Sequence, residues 1–133
     1  MEAVAEGLRE RDLSRRLAIV AHSSRCQWES ESGVTAMLAG AAASDAEVAR
    51  MLAGWKDDRA RSLRSVVAGA ERDLRTGMSA KRAGAIIRAL TSPDIYAELV
   101  EGEGWTPGDY EVWLADLLGD LLVGSKSSTT RRH

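Results

Sequence analysis

His22 and Cys26 stand four residues apart in a stretch with helical periodicity, so both project from one helix face. That pairing suits two chemistries. An imidazole and a thiolate can share a metal ion, and an imidazole can deprotonate a thiol to make a nucleophile. The metal reading runs short of ligands, because the chain has one cysteine and its only other histidine is His133 near the end. The nucleophile reading lacks an acid three or four residues from His22 to orient the ring, and no oxyanion-binding loop is recognisable. The expectation is a partly buried thiol beside an ordinary histidine, with no catalytic residue, no metal, no cofactor and no enzymatic activity.

Other chemistry-bearing patterns are weaker. Gly102-x-Gly104 follows a helical segment and precedes Trp105, which is not the strand-to-helix context of a nucleotide fingerprint. Arg59, Arg61 and Arg64 share their segment with Asp57 and Asp58, the pattern of a solvated mixed-charge face and not of a phosphate stripe. The terminal Thr-Thr-Arg-Arg-His run is too short to bind nucleic acid by itself.

The chain of 133 residues is 44% hydrophobic and 29% charged, as expected for one globular domain. A single cysteine excludes an intramolecular disulfide framework. No apolar run is long enough for a membrane span, and no signal-peptide segment follows the acidic start, so the expectation is a cytoplasmic protein without membrane contact. The net charge of −2 averages three unlike blocks. Residues 1–91 carry 15 Lys/Arg against 12 Asp/Glu, residues 92–123 carry 8 Asp/Glu and no Lys/Arg, and the last ten residues add Lys126, Arg131 and Arg132. The acidic block is a poor surface to lay on phosphate.

These side chains are positioned by elements that all read as helix. Leu13, Leu17, Val20 and Ser24 define a first helix from about residue 10 to about residue 26. Glu29-Ser30-Glu31-Ser32-Gly33 reads as a polar break before a short apolar segment, Val34 to Ala43. Ser44-Asp45-Ala46-Glu47 has a capping-box pattern, and the run behind it predicts the longest helix, from about 45 to about 75 with Gly77 as its left-handed cap. Ser79 opens a helix bearing Ala83, Ile86, Ile87 and Leu90; Ser92-Pro93-Asp94 restarts it, and Gly102 and Gly104 end the second piece. Thr106-Pro107-Gly108-Asp109 starts the last helix. There Tyr110, Trp113, Leu114, Leu117, Leu118, Leu121 and Leu122 form an apolar stripe wide enough for an internal face and a subunit face together. The prediction is an all-α single helical-bundle domain of five to six helices over residues 1–123, followed by a disordered polar tail, 124–133.

The stretch LTSPDIYAELVEGEGWTPGDYEVWLADLLGDLL, residues 90–122, resembles the end of the regulatory domain of TetR-family transcriptional regulators. Its Leu-Thr-Ser-Pro start, Glu-x-x-Gly-Trp turn and Tyr-Glu-x-Trp-Leu-Ala-Asp step carry the likeness. The segment SDAEVARMLAGWKDDRARSLRSVV, residues 44–67, is similar to the long central helix of actinobacterial members. The resemblance implies a repressor-type regulator whose all-helical C-terminal domain binds a small effector and forms a homodimer through its last two helices. It also implies an N-terminal helix-turn-helix domain that reads operator DNA. No such reader is recognisable in this chain, which is expected to be either a piece of a longer regulator or a regulator-like protein without a reader; DNA would be reached only through that domain.

On this reading the dimer seam is a four-helix bundle drawing on Ala83, Ile87, Tyr110, Trp113, Leu114, Leu117, Leu118 and Leu121. A small hydrophobic effector would sit between the first, long and fourth helices, lined by Leu17, Val20, Ser24, Trp28, Met37, Met51, Leu52, Trp55, Ile86 and Tyr96. The plainer alternative for the same residues is a packed core, and for the chain a helical interaction module that dimerises and binds no ligand.

Overall fold

The computed structural model describes residues 12–124. All its regular elements are helical, and the expected all-α bundle is what the chain forms. The order is α1 (Leu13–Ala42), α2 (Ala46–Arg64), two short 3-10 turns (Ser65–Val67 and Glu71–Asp73), α3 (Ala80–Leu90), α4 (Pro93–Tyr96) continuing into a π-helical turn (Ala97–Gly102), and α5 (Pro107–Leu122). The tail expected to be disordered falls, from residue 125 onward, outside the described residues.

The expected break at 29–33 is absent: α1 is one helix of 30 residues, about 45 Å long, and is the longest element. Its polar residues satisfy themselves within the helix. Arg25 Nη1 pairs with Glu29 Oε1 one turn on at 3.0 Å, and the Ser30 hydroxyl donates back to the carbonyls of Cys26 (3.1 Å) and Gln27 (3.2 Å). A serine that bonds backward does not compete for forward backbone groups, and one interior glycine, Gly33, costs only about 1 kcal/mol.

The expected long helix from 45 to 75 is shorter. α2 ends at Arg64, and the chain turns through Gly69 at φ 79° well before Gly77 at φ 87°. The Ser65 hydroxyl donates to the Ser62 carbonyl at 2.6 Å as the helix tightens. Arg16 reaches across from α1 and donates Nη1 to the carbonyls of Val66 (2.7 Å) and Ala68 (2.8 Å), which makes the irregular segment a fixed part of the fold. The cap of α2 is Asp45, not Ser44; its carboxylate accepts from the amides of Glu47 and Val48.

The later starts agree with their sequence signals. Ser79 accepts from the Arg82 amide, and Thr106 and Asp109 form a reciprocal capping box with Pro107 in the first turn. After α5 the chain closes onto the irregular segment through a single antiparallel bridge, Leu74 with Val123.

The core lies between the first half of α1, the end of α2, α3 and α5. It contains Leu13, Leu17, Val20, Trp28, Leu63, Val67, Ile87, Tyr110, Leu114, Leu118 and Leu122. α3 crosses α2 at Gly84, where an added Cβ would lie 3.0 Å from Arg64 Cγ. No described side chain between residues 29 and 59 is buried. The second half of α1 and the first half of α2 therefore form an antiparallel arm extending past the core, with Val34, Met37, Met51 and Trp55 exposed.

Candidate functional site

The ten side chains expected to line one effector pocket are divided between two regions. Leu17, Val20, Ser24, Trp28 and Tyr96 are buried in the core, whereas Met37 (66% exposed), Met51 and Trp55 stand on the arm, and Leu52 and Ile86 are half-buried. The pocket of that composition is thus not formed. The reason is the uninterrupted α1, which carries Met37 out along the arm instead of folding it back over Trp28.

The buried half has its own polar centre. Trp28 Nε1 donates to the Thr91 carbonyl at 2.8 Å, and the Thr91 hydroxyl donates to the Ile87 carbonyl at 2.7 Å. Arg59 donates to both the carbonyl and the hydroxyl of Thr91 and lies over the Trp28 ring, 5.6 Å from its centroid. Burial pulls the Arg59 guanidinium below its ordinary value, an effect that Tyr110 opposes and Arg88 reinforces. Tyr96 meets Tyr110 edge to face, with ring centroids 5.0 Å apart. Tyr110 is fully buried, and its hydroxyl has no hydrogen-bond partner among the described residues. Desolvation raises it to about 12, the Arg59 charge counteracting in part.

The wide stripe of α5 separates into two faces. Tyr110, Leu114, Leu118 and Leu122 are completely buried within the chain, as are Ala83 and Ile87 of α3. These side chains have no surface left to offer a second subunit, so the expected seam is corrected at Ala83, Ile87, Tyr110, Leu114 and Leu118. Trp113 and Leu117 are half-buried and Leu121 is 38% exposed; these three lie along one flank of the inner face. Trp113 meets Trp105 edge to face at 5.8 Å. Beside them is an open groove of about 400 Å³ lined by Trp105, Asp109, Val112 and Trp113. The two helices carry opposite charge: α3 has Lys81, Arg82 and Arg88 and no acid, and α5 has Asp109, Glu111, Asp116 and Asp120 and no base.

The acid missing from the surroundings of His22 in sequence is supplied by α5. His22 Nδ1 lies 3.2 Å from both carboxylate oxygens of Glu111, and His22 Nε2 lies 3.6 Å from Cys26 Sγ. Arg25 Nε donates to Glu111 Oε1 at 2.9 Å. Burial acts against ionisation of Glu111, but the hydrogen bonds from Arg25 and His22 outweigh it and hold the carboxyl below its ordinary value. Spacing along the chain held no signal for this partner, which is 89 residues from His22. No group of three or more His, Cys, Asp or Glu among the described residues is arranged to hold a metal.

Taken together, these features define a class: an all-helical domain with a packed aromatic core, an apolar outer flank on its last helix and a projecting two-helix arm. Comparison with protein-family models, with curated proteins and with solved structures finds no match to this chain.

Proposed function

We propose that this chain is the regulatory and dimerisation part of a TetR-type transcriptional regulator, probed by small effectors and coupled to DNA only through an N-terminal helix-turn-helix domain. The reading is supported by the resemblance over residues 90–122 and carried by one observation, the apolar flank of α5. Trp113, Leu117 and Leu121 stay at the surface although the same helix already saturates the internal core. Such a flank is the ordinary signature of a subunit face. A two-fold pairing that sets α3 of one protomer against α5 of its partner brings the basic helix onto the acidic one, so the charges favour that register.

Sedimentation of the full chain tests the dimer. Wild type is expected to sediment as a dimer, and Leu117→Glu or Leu121→Glu as a folded monomer, whereas a stable dimer in both variants would refute this seam. The effector, a small hydrophobic molecule, would enter by loosening the core around Trp28 and Tyr96. It acts only through its different affinities for two arrangements of α1. In a thermal-shift screen, a true effector at a hundred times its Kd stabilises by about 2.7 kcal/mol. The packed state of Leu17, Val20, Trp28 and Tyr96 favours a second reading, a dimeric interaction module without a ligand. No shift with any compound, together with an intact dimer, selects that module.

A further inference from the structure

We propose that Cys26 is a thiol-modification site at which His22 is the base and Glu111 the positioning residue, and that its co-reactants are low-molecular-weight disulfides. The order of contacts assigns the roles. Glu111 is a carboxylate that accepts from Nδ1–H of His22, which leaves the Nε2 lone pair directed at Cys26 Sγ, 3.6 Å away. Arg25 fixes the carboxylate from the other side at 2.9 Å. The thiol is exposed, so a small electrophile reaches the sulfur directly. Arg25 is the cation that interacts with the thiol, and it is itself paired with Glu29 of α1 and Glu111 of α5.

The reaction is a thiol–disulfide exchange. The Cys26 proton passes to His22 Nε2, the thiolate attacks one sulfur of the disulfide, a bond from Sγ to that sulfur forms and the original sulfur–sulfur bond breaks. The departing thiolate takes the proton from the imidazolium. One external disulfide is consumed, and one mixed disulfide and one free thiol result. The site is independent of the proposed subunit face, because residues 111 and 113 of one helix point about 160° apart. Its product would nevertheless be felt structurally, since the mixed disulfide sits where His22 and Arg25 of α1 hold Glu111 of α5.

The test is the rate of mixed-disulfide formation with hydroxyethyl disulfide, a neutral probe, followed by intact mass at pH 7 on the full chain. The single cysteine makes the mass shift unambiguous. A free thiol is already a few per cent ionised at that pH, and a more acidic thiol is also a weaker nucleophile, so full activation is worth about threefold. Native wild type is therefore expected to react about threefold faster than the same chain unfolded in urea. His22→Gln in the folded state should fall to the unfolded rate. Glu111→Gln should lie between them, with its rate–pH profile moved to higher pH, which a merely structural loss would not produce. A native rate no greater than the unfolded one, or a His22→Gln rate equal to wild type, overturns the proposal. Should His22→Gln fail to fold, the native-to-unfolded ratio and Glu111→Gln decide the matter.

Discussion

The hydroxyl of Tyr110 lies in the core with no partner among the described residues, and removing it is expected to stabilise the protein. A buried hydroxyl that gives up water without gaining a hydrogen bond costs about 1–3 kcal/mol. The Phe ring keeps the edge-to-face contact with Tyr96 and the tilted one with Trp113, so the packing cost of Tyr110→Phe is small. A gain of about 1–2 kcal/mol follows at neutral pH, or about 3–8 °C in Tm for a domain of this size. The alkaline limb gives a second signature. In the unfolded chain the phenol titrates near 10.0, and in the folded chain it is pushed up to about 12. The folded state therefore favours the protonated form: its stability is intact below pH 10 and is lost progressively as pH rises from 10 to about 12. That gap corresponds to about 3 kcal/mol at its far end. Tyr110→Phe removes this loss, so the advantage of the variant over wild type should widen as pH rises from 10 toward 12. Urea unfolding at a series of pH values measures both effects. A variant less stable than wild type by 1 kcal/mol or more at pH 7 would refute the reasoning, because it would mean that the hydroxyl makes a favourable bond.

Two further predictions concern the irregular segment and the tightest helix crossing. Arg16→Met deprives the carbonyls of Val66 and Ala68 of their shared donor; a loss of about 2–3 kcal/mol in urea unfolding is expected, with faster amide exchange between residues 65 and 70. Gly84→Val brings a branched side chain to a point where a Cβ alone would stand 3.0 Å from Arg64 Cγ; a loss of about 1–3 kcal/mol is expected, and an unchanged Tm would show that α2 and α3 can separate there freely.

The parts of the fold that could be read from sequence are those with local causes. Thr106, Pro107 and Asp109 start α5 through contacts within one turn, and Ser79 does the same for α3. The inner residues of α5 followed from periodicity, although periodicity alone could not say which side of a wide stripe the chain itself would cover. What was illegible depended on distant partners. α1 crosses its polar stretch because Ser30 and Arg25 find acceptors within the helix, and α2 stops early where Arg16, about fifty residues upstream, holds the carbonyls beyond it. The acid beside His22 comes from the other end of the chain. The expected pocket failed for the same reason as the expected break: helical spacing names the residues on one face, and only the true length of α1 shows how far apart they lie.

The uninterrupted α1 also has a mechanical consequence. Trp28 is the last buried residue among the described side chains of α1, and the helix continues for about 20 Å beyond that anchor. The arm is a lever with its fulcrum at the Trp28–Thr91–Arg59 node. A tilt of about 10° at the fulcrum displaces the tip by about 4 Å, so a rearrangement too small to disturb the core is amplified several-fold where the helix turns into α2.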